Sequence, residues 1–341
     1  MALSPHEAVD AADAAVQAQP QSGRAHYQHG LALSAVGRLD EAAEAFTRAV
    51  ELEPEQAAAT LGLGQVRLAQ GDYERGWPLC EARKLIPSQN ARPLPMPGEW
   101  QGEALAGRSL LIWPEQGFGD QIQFARFAPV LAAQGARVTL VTDPPLTHLF
   151  RTLGVEVLAR GDSFPVPDHW TLALSIPRWR GTTLETIPAA PYLRVPDDRR
   201  AKWAGHGPKG AVGFAWRGRP THPNDRHRSL PSPELLTQPL QAAGATLIDL
   251  TEPVGDFADL AAMVAQLDLV VTVDTALAHL AGALGRPCFV LLPWLRTDWR
   301  WLRDRSDSPW YPSLRLFRQP SFGDWTSVIG AVAAAYEDLR P

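Results

Sequence analysis

The 341-residue chain is poor in the residues that staple or metallate small proteins. Its two cysteines, Cys80 and Cys288, lie far apart and form no C-x-x-C pair, so they suggest neither a disulfide framework nor a zinc site. Charge of one sign is also scarce. Lys and Arg number 32 against 37 Asp and Glu, a net charge of −5, and no long basic surface argues for nucleic acid. No uninterrupted apolar run reaches membrane-spanning length. The opening residues, MALSPHEAVDAADAAV, lack the basic n-region and continuous apolar core of a secretory signal. No D-x-D motif falls at a convincing strand end, and Asp197-Asp198 reads as a solvated linker pair. A G-x-G-x-x-G turn followed by a ribose-binding acid is missing too, which weakens a dinucleotide site. These absences lead to the expectation of a cytoplasmic protein with no transmembrane segment and no nucleic-acid partner.

An apolar content of 45% with 20% charged residues suits a globular enzyme of two or three domains. Proline (31) and tryptophan (12) are abundant, with most of the tryptophans after residue 160.

The first 90 residues repeat. A shift of 34 positions lays Gly30 on Gly64, Gly37 on Gly71, Pro20 on Pro54, Ala8 on Ala42 and Ala15 on Ala49. A 34-residue period with paired helices is the tetratricopeptide signature. In the central unit, residues 23–56, Gly30 lets two helices approach and Gly37 makes the turn. Ala42, Phe46 and Ala49 form the buried face of the second helix. Only a second helix, about residues 4–19, precedes that unit, and the unit after it departs at Trp77, Pro78 and Pro87. Two and a half repeats fall below the ~3 needed to stand alone. Two readings stand: a docking surface for a partner or acceptor polypeptide, and a structural cap. A Pro-rich link follows.

Beyond the link, residues 109–113 read as a strand. Gly117 and Gly119 make a flexible turn, a helix runs from about Asp120, and residues 137–141 form the next strand, giving a βαβ unit. Asp120 lies where turn meets helix, at the carboxyl end of a strand, the edge at which open α/β sheets bind ligands. It is a candidate general base or a helix cap. A second α/β half starts at 211–216 and leads into a polar loop, PTHPNDRHRSLP, with Arg226, His227 and Arg228 close together. Guanidinium groups suit bidentate phosphate recognition, and a solvated surface loop is the alternative.

The most telling stretch is 270–287, VVTVDTALAHLAGALGRP. A β-branched run reads as a buried strand ending in Asp274-Thr275, and a small-residue helix starts at once. With Thr275 as cap, the unpaired N–H groups of the helix start form an anion site, with His279 on the same face. Gly285 ends that helix. Residues 294–310 carry Trp294, Trp299, Trp301 and Trp310 among arginines, either as an acceptor wall or as packing, and packing is the better reading because tryptophan is buried on average. The expected segments are 1–88 (helical repeats), 89–98 (linker), 99–192 and 193–323 (two Rossmann-like halves facing a cleft), and 324–341 (a helix packing back on the first half).

These residues resemble a family. GFGDQIQFARFAPVL and DTALAHLAGALGRP look like the two motifs of the heptosyltransferase-like glycosyltransferases of family 9. The preceding repeats resemble those of the bacterial proteins that fuse such repeats to this domain, reminiscent of O-linked N-acetylglucosamine transferases. The resemblance implies a GT-B fold in a bacterial-type cytoplasmic enzyme. It implies inverting transfer from a nucleotide-sugar donor to a polypeptide or glycan acceptor, with no cofactor and no bound metal, and a protein partner on the repeats. Asp120 would be the general base. Asp274, Thr275, Ala276 and His279 would line the donor's ribose and diphosphate, and Arg228 would meet the phosphates. Gly117, Gly119, Trp216, Arg217 and Glu252 are candidates for loop or nucleoside contacts. Ala276-Leu277 replaces the family's Gly-Pro, and NDRHRS resembles the repeat-fused group. The competing classes are a repeat scaffold with a silent transferase-like domain and, ranked last, a sugar-nucleotide epimerase.

Overall fold

The computed structural model describes residues 4–205, 210–252 and 255–339. The first three residues of the amino terminus, and Pro253 and Val254 at the end of an expected loop, lie outside the described residues. The chain divides into two compact units.

The first unit holds the repeats: α1 (Pro5–Ala18), α2 (Gly23–Ala35), α3 (Leu39–Leu52), α4 (Ala57–Ala69) and α5 (Tyr73–Cys80). Local chemistry sets the helix starts. Ser4 and Glu7 form a reciprocal capping box at α1, and Ser22 accepts from Ala25 N–H at α2. The 34-residue register has a steric meaning. Gly30 lies so close to Phe46 that a Cβ there would come within 2.8 Å of the ring. Gly37 and Gly71 turn the chain with φ of +75° and +83°, a region that side chains disfavour. The last unit is cut short at Pro78, inside α5, and continues as a 3₁₀ segment (Glu81–Leu85).

Two distant segments, Pro177–Thr186 and Pro293–Arg305, belong to the same unit. Leu295 joins the core of Leu33, Val36, Phe46 and Val66. Arg296 N–H donates to Ala35 O at 2.8 Å, and Trp77 Nε1–H donates to Thr182 O at 2.9 Å. The Trp299 ring meets Trp77 edge-on at 5.4 Å. An incomplete repeat array leaves apolar surface uncovered, and here the chain's own later residues cover part of it. The linear boundary at residue 88 does not follow this division. Trp299, Trp301 and Trp310 are buried, so these tryptophans are packing residues.

The second unit contains two parallel sheets. The first is formed by β1 (Ser109–Trp113), β2 (Arg137–Thr142), β3 (Glu156–Ala159) and β4 (His169–Leu172), in the order β3-β2-β1-β4. Between them run α6 (Phe118–Ala125), α7 (Phe127–Ala133) and α8 (Pro144–Phe150), and α9 (Ile176–Trp179) leads to the other unit. The second sheet follows α10 (Asp197–Trp203). It contains β5 (Ala211–Ala215), β6 (Thr246–Asp249), β7 (Leu269–Val273), β8 (Cys288–Leu292) and β9 (Leu314–Arg318), in the order β6-β5-β7-β8-β9. Its helices are α11 (Asp225–Arg228), α12 (Glu234–Ala242), α13 (Phe257–Val264), α14 (Ala276–Ala283) and α15 (Trp325–Glu337). β5, β7 and β8 are buried along their whole length, which is why they read as unbroken apolar runs. Strand order reverses between β1 and β4 and again between β5 and β7. Two such parallel sheets flanked by helices make a GT-B arrangement.

Two expectations need correction. The last helix packs on the second half, not the first: Trp325, Val328, Ile329 and Val332 share a core with Val212, Phe214, Leu236 and Leu240. Since β9 is the edge strand of the second sheet, the apolar stripe that follows it docks on the sheet it has just left. Asp197 and Asp198 are exposed, as expected of a solvated pair, but they lie in a helix rather than in a linker. They open α10, and Asp198 pairs with His148 at 3.0 Å and Arg199 at 2.7 Å.

Candidate functional site

The second sheet ends at an arginine, Arg228, paired with Asp225. At the close of β7, Thr275 caps α14 by accepting from Leu277 N–H at 3.3 Å. Thr275 O also accepts from Ala278 N–H at 3.1 Å, and the helix start carries the positive end of its dipole. Arg228 is held beside it. Its Nη1–H donates to Asp274 O at 2.8 Å, and its Nε lies 3.4 Å from Asp225 Oδ1. Gly218 makes room for the guanidinium, since a Cβ there would lie 2.6 Å from Nη2. β5 and β7 are the neighbours at which strand order reverses, so this crevice is the ligand position that the topology favours.

Beyond Arg228, Arg217 lies over the Trp216 ring at 5.1 Å and pairs with Glu252 at 2.6 Å. Glu252 is 74% exposed, so this pair contributes little to stability. Trp216 packs against the core of the second sheet and its carbonyl accepts from Leu230 N–H at 2.9 Å, while Arg217 and Glu252 stand at the surface.

The first sheet presents an acidic strand end. β1 runs into Gly117, the start of α6, where half-buried Asp120 accepts from Gly117 N–H at 2.9 Å. The sequence offered general base or N-cap for Asp120; the N-cap is Gly117, and Asp120, the third residue of α6, bonds back to it while its carboxylate stands at the strand end. Glu115, which sequence reasoning passed over, is 1% exposed and accepts from Leu174 N–H at 2.8 Å. It ties the ends of β1 and β4 together.

The two strand ends meet at Gly119. A Cβ there would lie 2.8 Å from His279 Cδ2, 3.3 Å from Nε2 and 3.6 Å from Ala276 Cα. Only glycine lets the α6 turn rest on α14. The structure therefore brings together Gly117, Gly119 and Asp120 with Asp274, Thr275, Ala276, His279 and Arg228. Aromatic contacts add to this: Phe118 meets Phe257 at 5.1 Å, and the Arg219 guanidinium lies 5.6 Å over Phe118.

A buried polar cluster behind His279 was not found from sequence. His279 is 6% exposed, and its Nδ1 is 3.1 Å from Tyr311 Oη. Arg126 is fully buried beneath Tyr192, Trp310 and Tyr311, with its guanidinium 4.7, 5.1 and 4.7 Å from their ring centres. It donates to Gln123 O, Trp310 O and Pro188 O. Burial opposes its charge, but the Tyr192 and Tyr311 hydroxyls outweigh that and raise its pKa. Burial, with Tyr192, pushes the Tyr311 phenol well above its ordinary value despite Arg126. The one available signal was an arginine inside the apolar run FARFAPVL.

Burial also pushes the Cys80 thiol up to about 12 and raises Cys288, so neither is poised as a thiolate nucleophile. Among the described residues, no three His, Cys, Asp or Glu side chains converge to hold a metal ion, and no helix is long and apolar enough to cross a membrane.

The fold defines a class: a helical repeat unit and a GT-B α/β unit, with Asp120 at a strand end of one half and Arg228 beside a helix start in the other. Two family models match the chain. The tetratricopeptide repeat model covers residues 27–82, and the glycosyltransferase family 9 (heptosyltransferase) model covers residues 250–291, which include β7, α14 and most of β8. Residues 27–82 are thus similar to tetratricopeptide repeats, and residues 250–291 are similar to part of a family 9 glycosyltransferase. Protein FlbA of Caulobacter vibrioides is 28% identical over a 391-residue alignment that covers 96% of this chain. The chain spans 63% of the length of that curated relative. Among solved structures, a glycosyl transferase family 9 protein from Veillonella parvula matches with 13% identity and a TM-score of 0.48, over 70% of this chain and 99% of its own. An O-GlcNAc transferase from Thermobaculum terrenum matches with 14% identity and a TM-score of 0.30, over 99% of this chain and 93% of its own.

Proposed function

We propose that the protein is a cytoplasmic, inverting glycosyltransferase that moves a sugar from a nucleotide-sugar to a hydroxyl of a polypeptide or glycan acceptor. Asp120 takes the acceptor proton as the oxygen attacks the anomeric carbon from one face. The bond to the diphosphate breaks on the other face, inverting the centre. Charge then grows on the departing phosphate oxygen, where Arg228 and the N–H groups at the start of α14 meet it. In this reading a fixed cation and a helix dipole supply the positive charge, so no metal ion and no cofactor are needed. Asp274, Ala276 and His279 line the same crevice, and Trp216, Arg217 and Glu252 lie where the nucleoside would extend. Two free, buried cysteines suit a reducing compartment.

The contact of Gly119 with His279 and Ala276 supports this reading, because it brings the turn that carries Asp120 against the helix start that would take the phosphates. The first test is thermal melting with ADP, GDP, UDP and their sugar conjugates, without added metal. A ligand that binds only the native state raises the melting temperature by mass action. A selective rise, lost in Thr275→Ala and Arg228→Met, supports the proposal. No rise with any of them overturns it.

The repeats would dock the acceptor or a protein partner. The surface that suits this is a polar cavity of about 390 Å³ lined in part by Asp40, Glu44, Glu51, Arg48, Arg67 and Gln70. A second reading, a repeat scaffold with a silent transferase-like domain, is favoured by one observation: Asp120 already bonds back to Gly117 at the start of α6. Nucleotide binding without turnover on any acceptor would select it.

A further inference from the structure

We propose that Tyr311, held in place by Arg126, is a positioning residue that fixes the ring and tautomer of His279, so that His279 presents Nε2–H toward the turn carrying Asp120. The geometry is specific. Tyr311 Oη is 3.1 Å from Nδ1, and the opposite edge of the imidazole, Cδ2 and Nε2, faces Gly119. The Tyr311 and His279 rings meet edge-on at 71° with centres 5.7 Å apart. Tyr311 is itself locked, being 0% exposed, and a Cβ on Gly282 of α14 would lie 2.4 Å from its ring.

The direction of the hydrogen bond follows from the neighbours. Tyr192 gives its hydroxyl hydrogen to Ile122 O at 2.8 Å, so toward Tyr311 it can only accept, and Arg126 Nη2–H already donates to its oxygen at 3.4 Å. Arg126 has only hydrogens to donate, and its guanidinium lies against the Tyr311 ring. The phenol stays protonated, because burial pushes its pKa well above the ordinary value. Two acceptors face its one hydrogen, the Tyr192 oxygen and His279 Nδ1, and we assign it to the imidazole nitrogen because that is the stronger base. A ring nitrogen that accepts this bond cannot also carry a proton, which leaves the imidazole hydrogen on Nε2. Arg126 then matters through Tyr311: its cation is a buried anchor 184 residues upstream of the Trp310 carbonyl it binds at 2.9 Å.

The tautomer does not depend on the transferase reading. Its catalytic consequence, an N–H donor beside the developing phosphate charge, rests on that reading.

The test uses the full-length protein labelled with 15N-histidine, with the His279 ring signals assigned by their loss in His279→Gln. The wild type should show the Nε2–H pattern, and Tyr311→Phe, which keeps the buried ring, should show a mixture of tautomers. In the same variant, the dissociation constant of the diphosphate giving the largest melting shift among ADP, GDP and UDP should stay unchanged. Its kcat should fall about tenfold, the equivalent of roughly one net hydrogen bond. An Nδ1–H wild type, or a pattern unaltered by Tyr311→Phe, overturns the proposal. The expected ring pattern in a protein that binds none of the three diphosphates upholds the positioning role and removes the transferase reading alone.

Discussion

The two sheets of the α/β unit share a layout and differ in chemistry. Each is parallel, and each reverses strand order beside its first strand. At the first reversal, Glu115 is consumed in holding β1 to β4, and Asp120 stands at the start of α6. At the second, the helix start after β7 carries an N-terminal dipole, with Arg228 laid against it. One copy of the layout thus carries an acid, and the other an arginine paired with Asp225. Topology chooses where a ligand goes, whereas the residues after the strand choose its charge. Under the proposed reaction, the acid serves the acceptor and the cation serves the leaving group.

The sharpest way to break this comparison is Asp120→Asn. The amide oxygen can still accept from Gly117 N–H, so folding should be kept, while loss of a general base should lower kcat about 10²–10⁴-fold. Diphosphate affinity, measured by calorimetry, should not change. Unchanged turnover removes Asp120 from the chemistry. Arg228→Met comes next. Losing a charged hydrogen-bond donor should cost about 1.5–3 kcal/mol, or roughly 10–100-fold in diphosphate affinity. An affinity like that of the wild type would mean that the cationic half needs only its helix.

Gly119→Ala tests whether the two halves must touch. With a Cβ 2.8 Å from His279 Cδ2, overpacking should cost about 1–3 kcal/mol, read from the urea midpoint. A neutral effect would show that α6 and α14 can separate at no cost. Asp259 supplies the smallest effect and a control acid. Burial pushes its carboxyl up, but hydrogen bonds from Lys202 and Trp203 and the nearby Arg199 charge outweigh this and hold it below the ordinary carboxylate range. A lowered native pKa adds stability above the unfolded value, and that stability is lost as pH falls through the native value. Urea unfolding across a pH series should therefore show wild-type stability declining from about pH 5 downward, with a shallower slope in Asp259→Asn. Turnover near neutral pH should be unaltered, the reverse of Asp120→Asn.

Much of the fold could be read along the chain because its signals are local. The strand Leu269–Val273, the Thr275 cap and the turn at Gly285 (φ +68°) all lie within a few residues of the features that specify them. The same holds for Gly37 and Gly71, where a fixed period exposes one steric need met twice. The candidate site was readable to the extent that it sits at strand ends. Gly119, next to Asp120, meets His279, and Arg228 bonds Asp274 O beside Thr275, whereas Trp216 packs on the core and Arg217 and Glu252 stand at the surface. Arg126 and Tyr311 escaped because their partners lie 184 and 32 residues away, and no spacing rule links an arginine in an apolar helix to a distant phenol.

The side on which the last helix docks was equally invisible, since an apolar stripe states that it must be buried but not against which sheet. The assignment of Pro177–Thr186 and Pro293–Arg305 to the repeat unit has the same origin. By itself, the sequence determined the repeat period, the strands, the helix caps and the glycine turns, because backbone sterics and short-range hydrogen bonds act within a turn or two of the chain. Only the tertiary structure decided which acid faces which helix end, which tyrosine orients His279 and which apolar face covers which, because burial is non-directional and chain separation places no limit on contact.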